Sequence, residues 1–356
     1  MAASSSYPGA GAGYSLLRDA SLRERNTLRV DARADWLVLV REAAALPTAL
    51  TDARLRDLPV LVLGEGSNVL FAAERVAGAV VQLTCNRVQR LEDDADAVLV
   101  RAEAGHGWDA LVDWSLGQGL AGLENLALIP GQAGAAPIQN IGAYGAELAE
   151  FVECVETYDR TLGCVVRLAA ERCGFAYRDS VFKHEPERHV VTAVELRLSR
   201  RREPSLAYAG LKEELAVMGG VPATPPNVAE AVRRLRRRKL PDPARIGNAG
   251  SFFKNPVVPA GLAAALTERL PGLPVFAVPD PAVRKLSAAW LIELAGWRGF
   301  REGDAGVSAQ HALVLVNHGG ATGAQLLAVA RRVADSVASQ FGVRLEPEPR
   351  IVGALF

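Results

Sequence analysis

The hydrophobic and polar positions along this chain change period several times, and the changes outline its elements. Residues 36–41, WLVLVR, form a short apolar run that reads as a buried strand. Residues 49–57 read as a short helix, and 60–63 as a second apolar strand that stops at the glycine turn of GEGSNVLF. Strands continue at 79–83 and 97–104, after which Trp108, Leu111, Val112 and Leu116 recur at helical spacing until Gly117 and Gly119 end the pattern. Further strands fall at 152–158, 164–168 and 190–198, so the middle of the chain mixes α and β. The first 22 residues are rich in Ala, Gly and Ser without an apolar period, which predicts a disordered tail.

A change of composition follows. Pro222-Ala-Thr-Pro-Pro-Asn leads into a helix carrying six positive residues in the seven positions from Arg233 to Lys239, closed by Pro241 and Pro243. A domain boundary is therefore expected near residue 222. Beyond it, helices and strands alternate up to a strand at 312–316 and a helix at 323–341, and the final stretch RLEPEPRIVGALF reads as a strand-like return.

The length of 356 residues suggests two or three domains at roughly 100–200 residues each. Forty Lys and Arg balance 40 Asp and Glu, which argues against a surface that as a whole attracts nucleic acid or anionic membrane. No apolar stretch is long enough to span a bilayer, and the N-terminus lacks a basic region followed by an apolar one, so a cytoplasmic protein is expected. Cys85, Cys154, Cys164 and Cys173 form no C-x-x-C pair and read as reduced, buried thiols.

Two loops carry candidate chemistry. Gly64-Glu-Gly-Ser-Asn-Val-Leu follows an apolar strand; its glycines let backbone N–H groups turn toward a phosphate, and Ser67 and Asn68 add side-chain donors and acceptors. No third glycine opens a helix, so it is not the dinucleotide fingerprint, and a lone G-x-G is more often a plain tight turn. Pro130-Gly-Gln-Ala-Gly-Ala-Ala-Pro through Asn140-Ile-Gly-Ala-Tyr-Gly repeats the small-residue chemistry over a longer stretch, and two such loops favour a long, phosphate-containing cofactor. His184-Glu-Pro-Glu-Arg-His189 has the wrong spacing for a metal-binding helix and contains Pro186, so it reads as a surface loop and no metal is expected. The basic run from Arg233 to Lys239 lacks interleaved aromatics and reads as a solvated helix face, not a nucleic-acid patch.

Eight segments, in order, resemble the UDP-N-acetylenolpyruvoylglucosamine reductase family: LGEGSNVLF at 63–71, GLENLALIPG at 122–131, APIQNIGAYG at 136–145, YRDSVFKHE at 177–185, KLPDP at 239–243, GNAGSFFKNPVV at 247–258, AAWLIE at 288–293 and LEPEPRIVG at 345–353. The resemblance implies an α+β fold: an FAD-binding unit of the vanillyl-alcohol-oxidase (PCMH) type in two subdomains at 23–221, with their boundary near 72. A C-terminal α/β substrate-binding domain at 222–340 and a return of 341–356 to the FAD-binding unit would complete it. It implies an FAD-dependent oxidoreductase of peptidoglycan precursor synthesis that uses NADPH to reduce UDP-N-acetylglucosamine enolpyruvate to UDP-N-acetylmuramate, and hence a part in cell-wall biogenesis, cell shape and the division cycle. The partners would be this small-molecule substrate and NADPH, with no nucleic acid or membrane, and the protein a monomer. Another flavin oxidase of the same fold is the alternative, and a nucleotide-binding protein without catalysis a third reading.

By the same resemblance FAD is held by Gly64, Glu65, Gly66, Ser67, Asn68, Val69 and Leu70 of the first loop. Pro130, Gly131, Gly134, Ala135, Ile138, Gln139, Asn140, Gly142, Ala143, Tyr144 and Gly145 of the second do the same. Neither loop contains His or Cys, so the flavin is expected to be non-covalent. Arg178 is implied as the catalytic cation that binds a carboxylate, Ser251 as proton donor and Glu348 as the catalytic glutamate. Glu346 stands on the same face if the segment is extended, and only the resemblance selects between the two glutamates. Tyr177, Arg178, Tyr208, Lys239, Asn255, Arg298 and Gln310 match substrate-binding positions, Tyr208 resembling the tyrosine of a loop that closes over substrate. Leu28 and Gln132 depart from the family pattern, and Gln132 is where an effect on FAD affinity is expected.

Overall fold

A computed structural model describes residues 6–8 and 13–356. Of the disordered tail expected at 1–22, residues 1–5 and 9–12 lie outside the described residues. From Tyr14 onward that expectation is overturned: Tyr14–Ser21 is a strand whose Tyr14, Leu16 and Ala20 are buried, paired antiparallel with Ser6–Pro8. The chain divides into two compact units, one of residues 1–20, 34–65 and 77–237, the other of 21–33, 66–76 and 238–356.

The first unit is built on two sheets. One has the strand order Ser6–Pro8, Tyr14–Ser21, Arg33–Val40, Arg75–Leu83, Val60–Val62, the last two parallel with Val60 opposite Ala79. Its inward residues Leu16, Val38, Val40, Ala79 and Val81 share a core with Leu46, Tyr158 and Val190. The helix expected at 49–57 is displaced and broken into Leu46–Leu50 and a 3-10 turn at Ala53–Leu55. Pro47 fits the first turn of the former, and Asp52 caps the latter by accepting the Arg54 N–H.

The other sheet is antiparallel, in the order Cys164–Ala169, Val152–Asp159, His189–Ser199, Ala97–Glu103, Val88–Asp93. Strand alternation puts Val98, Val100, Val194, Leu196 and Leu198 on the core face with Trp108, Leu111 and Val112 of the helix Trp108–Gly117. Its opposite face carries ion pairs, such as Arg101 with Glu156 at 2.7 Å and Arg197 with Glu153 at 2.9 Å. The helix Pro225–Lys239 buries Val228, Ala229, Ala231, Val232 and Leu235 in the same core. The boundary expected at 222 therefore lies one helix later: two prolines in a first turn cost a helix no internal hydrogen bond, and the stripe behind them belongs to the first unit.

The second unit holds a four-stranded antiparallel sheet, ordered Gly247–Ser251, Val314–Asn317, Ala305–Val307, Arg301–Glu302. It also holds a three-stranded sheet of Val257–Pro259, Val283–Leu286 and Val275–Phe276. The helix Gly323–Phe341 starts in a capping box between Thr322 and Gln325 and ends at Gly342, left-handed at φ 71°. The C-terminal strand Arg350–Val352 pairs in parallel with Val69–Phe71, residues of the segment 66–76 that this second unit shares.

Two smaller expectations change. Cys164 is exposed while the other three thiols are buried. His189 is not in a surface loop: it opens the strand His189–Ser199, is 7% exposed, and its Nδ1 lies 3.1 Å from the Thr157 hydroxyl. Among the described residues no helix is long and apolar enough to cross a membrane.

Candidate active site

In the first unit the loop after Val60–Val62 runs against the loop of residues 130–145. A Cβ added to Gly64 would stand 3.3 Å from Gln132 Oε1 and 3.5 Å from the Ala135 methyl, and one on Gly134 only 2.5 Å from Ala104 Cβ. Gln132 also donates to the Gly105 carbonyl at 3.2 Å, so the side chain that departs from the family pattern sits between the two loops. Backbone, methyls and amide donors packed this closely fit an elongated diphosphate-bearing group such as FAD, which needs amides brought near without side chains in the way.

Backbone strain gathers here. Of the seven non-glycine residues with positive φ among the described residues, Leu128 (59°), Asn140 (43°), Tyr144 (50°) and Arg178 (54°) lie in or beside these segments. Each is held. The Leu128 N–H donates to Asp109 Oδ1 at 2.6 Å and its carbonyl accepts Arg236 Nε at 3.1 Å. Trp108, on the same helix as Asp109, donates its N–H to the Gly131 carbonyl and its Nε1 to the Leu126 carbonyl. Asn140 Nδ2 donates to Glu147 and to the Ala176 carbonyl, and Asn140 Oδ1 accepts the Ala149 N–H.

Arg178 stands at a turn closed by two backbone hydrogen bonds between Ala176 and Asp179, with Lys183 Nζ donating to its carbonyl at 3.0 Å. Its guanidinium reaches back to the loop of residues 130–145, donating to the carbonyls of Gly142 and Asn140, and lies 5.2 Å over the Tyr177 ring. A Cβ on Gly142 would approach Arg178 Nη1 to 3.0 Å, so the glycine admits the arginine. Tyr208 meets Tyr144 edge-on, ring centroids 4.7 Å apart.

Only part of the basic run on Pro225–Lys239 is a solvated face: Arg237, Arg238 and Lys239 are exposed, whereas Arg233, Arg234 and Arg236 are half-buried. Arg233 bridges Asp109 and Asp113 at 2.8 and 2.6 Å, Arg234 pairs with buried Glu214 at 3.2 Å, and Arg236 is set so deep that burial works against its charge. Sequence reasoning missed Asp109 and Arg236. A signal existed for the latter, which lies four residues after buried Val232 and eight after Val228, on the apolar stripe.

In the second unit the loop after Gly64, the strand carrying Ser251 and the C-terminal segment come together. Asn68 Nδ2 donates to the Glu348 carbonyl at 3.4 Å, the Asn68 carbonyl accepts the Arg350 N–H, and the Glu348 N–H donates to the carbonyl of Phe252, next to Ser251. Gly66, at φ 67°, lies so close to Arg25 that a Cβ would sit 2.2 Å from its carbonyl oxygen. The two glutamates now differ. Glu346 is 74% exposed and pairs with Lys254 at 3.2 Å, whereas Glu348 is half-buried beside the Ser251 strand.

Of the substrate-binding expectations, Lys239 and Arg298 both lie near His311, the residue after Gln310. Burial, then these two cations, hold the His311 imidazole below its ordinary value. Arg298 is anchored by Glu293 at 2.8 Å and by the Ala309 carbonyl. Asn255 Oδ1 accepts the N–H of Ala288 at the start of the helix Ala288–Leu294, which also carries Glu293.

Comparisons with known proteins agree along the chain. Residues 242–352 match the C-terminal domain of UDP-N-acetylenolpyruvoylglucosamine reductase as a family, and residues 34–169 match the family of FAD binding domains. The chain is 56% identical over 336 residues to the UDP-N-acetylenolpyruvoylglucosamine reductase of Xylella fastidiosa (strain M12), covering 94% of this chain and 95% of that one. Its identity to the enzyme of the same name from Xanthomonas euvesicatoria pv. vesicatoria is 54% over 342 residues, covering 96% and 97%. The crystal structure of the Thermus caldophilus reductase aligns over 94% of this chain and 97% of its own, with TM-score 0.65 and 29% identity. Similarity of this strength from end to end, over loops whose geometry suits a flavin dinucleotide, means that the chain belongs to the UDP-N-acetylenolpyruvoylglucosamine reductase family and is an FAD-dependent oxidoreductase.

Proposed function

We propose that this protein uses NADPH to reduce UDP-N-acetylglucosamine enolpyruvate to UDP-N-acetylmuramate. The observation that carries this is the 56% identity over 94% of the chain to a reductase of that substrate. FAD, when bound, supplies the two-electron chemistry that takes a hydride from NADPH and delivers it to the enolpyruvyl double bond. The FAD-binding residues are those of the two loops, Gly64–Leu70 and Pro130–Gly145.

The protein's own groups handle the substrate's charge and proton. Hydride addition to one carbon of the enolpyruvyl group pushes electron density toward its carboxylate. Arg178, with a planar fork of donors, binds that carboxylate and holds the growing charge. Glu348, protonated, donates to the developing enolate oxygen, a role that suits its half-buried position better than the exposed ion pair of Glu346 does. Ser251 gives its hydroxyl proton to the other carbon and takes one back from solvent, completing addition of one hydride and one proton across the double bond. Tyr177, Tyr208, Lys239, Asn255, Arg298 and Gln310 bind the sugar nucleotide, the two cations near His311 serving its diphosphate. The same reading has the protein acting in the cytoplasm as a monomer in peptidoglycan precursor synthesis, and thereby in cell-wall biogenesis, cell shape and division.

Replacing Ser251 by Ala tests the division of labour. Turnover should stop while reduction of the flavin by NADPH survives; loss of both half-reactions, or retention of both, contradicts the role given to the serine.

A further inference from the structure

We propose that Asn125 is a positioning residue that joins the flavin-side loop to the segment carrying Tyr208, and so sets the affinity for the sugar-nucleotide substrate. Asn125 lies in the 3-10 turn Glu124–Leu126 and is 1% exposed. Its side-chain amide donates twice, to the carbonyl of Tyr144 at 2.8 Å and to the carbonyl of Ser205 at 2.9 Å. These acceptors belong to segments 61 residues apart, as 205 minus 144 shows, and neither segment is a regular strand or helix at that point.

Two further contacts run alongside. A Cβ on Gly145 would meet Ser205 Oγ at 3.5 Å, the Tyr208 nitrogen at 3.6 Å and Ala207 Cβ at 3.7 Å, so residues 205–208 lie directly against the glycine that follows Tyr144. The Tyr144 and Tyr208 rings meet edge-on at 4.7 Å. Tyr144 is itself left-handed at φ 50°, a conformation that an L-residue keeps only when its surroundings hold it.

The chemistry of the amide explains why asparagine stands here. Two carbonyl oxygens facing one side chain call for two donors on one atom: alanine offers none, serine one, and aspartate would set negative charge against both. Both hydrogen bonds are part-buried and each ties a segment with no strand or helix of its own at that point, so removing the amide releases whichever segment is less anchored. That is the 203–209 stretch, which is exposed or half-exposed throughout, whereas 144 adjoins the braced loop. Asn125 thus passes the position of the flavin-side loop to Tyr208 with no contact of its own to the reacting atoms. This inference rests on the reading of Tyr208 as a residue that closes over the substrate.

The test uses FAD-loaded Asn125→Ala, Asn125→Ser and Tyr208→Ala proteins and the double variant Asn125→Ala/Tyr208→Ala. Hydrogen exchange in Asn125→Ala should quicken at both 143–146 and 203–209 while remaining at wild-type rates in the strand His189–Ser199, with Asn125→Ser intermediate. The KM for the enolpyruvyl substrate should rise about tenfold with kcat within about twofold, a binding loss of roughly 1.4 kcal/mol. The double variant should show a KM no higher than that of Tyr208→Ala, because the two changes disable one device. Unchanged exchange at 203–209, additive effects on KM, or a KM untouched by Asn125→Ala overturns the inference. If Tyr208→Ala leaves KM unchanged, the reading of Tyr208 itself fails, and the inference goes with it; exchange alone separates that failure from a missing Asn125 link.

Discussion

Asp109 offers the sharpest test of how the loop proposed to hold FAD is braced. Its Oδ1 accepts the Leu128 N–H at 2.6 Å and lies 2.8 Å from Arg233. Leu128 sits at φ 59°, which costs a non-glycine residue about 1–2 kcal/mol. The carboxylate has to offset that strain. Asp109→Ala deletes a charge-assisted hydrogen bond of about 1.5–3 kcal/mol. Arg233 keeps Asp113 at 2.6 Å, so the ion-pair loss adds at most about 1 kcal/mol. The expected destabilisation is roughly 2–4 kcal/mol, with Asp109→Asn near half of it because an acceptor for the N–H remains. Urea unfolding of the FAD-loaded protein, followed by tryptophan fluorescence, reads the stability, and recovery of flavin fluorescence on dilution reads FAD release. Affinity for FAD should fall about tenfold in the alanine variant, equivalent to roughly 1.4 kcal/mol. Equal effects of Ala and Asn, or a stability loss that leaves FAD affinity unchanged, would refute the reasoning that Asp109 acts by fixing the Leu128 peptide.

Gly66→Ala combines a left-handed φ of 67° with a Cβ placed 2.2 Å from the Arg25 carbonyl oxygen, and should cost at least about 3 kcal/mol or prevent FAD loading; a soluble, fully yellow variant of wild-type stability contradicts this. Glu348→Gln should slow reoxidation of the reduced flavin by substrate by about a hundredfold or more, within the range of a lost general acid, whereas exposed Glu346→Gln should leave it within about twofold; stopped-flow absorbance of the two variants decides which glutamate acts. Burial, reinforced by neighbouring Arg188, holds the His189 imidazole below its ordinary 6.5. The unfolded chain then binds the proton that the folded chain refuses, so this contribution is complete above about pH 6.5 and declines as the pH falls below it. Melting temperatures from about pH 7.5 to 5.5 should fall more steeply for wild type than for His189→Gln, and parallel curves would contradict the assignment.

Much of the fold can be read from pattern, because alternation and helical spacing are set by what must be buried. The strand at 190–198 and the helix Gly323–Phe341 are examples, the latter with its period and its capping box both written in sequence. Tyr14–Ser21 escapes because Arg18 is exposed where the alternation of Tyr14, Leu16 and Ala20 calls for an inward apolar residue, leaving three inward side chains behind a Gly-Ala-Ser lead. Val88–Asp93 carries no buried residue at all, so periodicity has nothing to report. The helix Pro225–Lys239 is legible as a helix but not by ownership, since which core takes its apolar stripe is a tertiary fact. In the site, Arg178, Ser251 and Glu348 are picked out only by the family resemblance, whereas the glycine loops stand out as residue types. The braces do not: Asp109 and Asn125 act through carbonyls and N–H groups of distant segments, and such partners leave no trace in local spacing.

The central claim is that this chain couples NADPH oxidation to reduction of an enolpyruvyl sugar nucleotide through FAD. Anaerobic titration of the purified FAD-loaded protein tests it most directly. NADPH should bleach the oxidised-flavin absorbance, and one equivalent of UDP-N-acetylglucosamine enolpyruvate per flavin should restore it, with UDP-N-acetylmuramate as product. A flavin that stays bleached after the substrate is added and recovers only when oxygen is admitted would contradict the account.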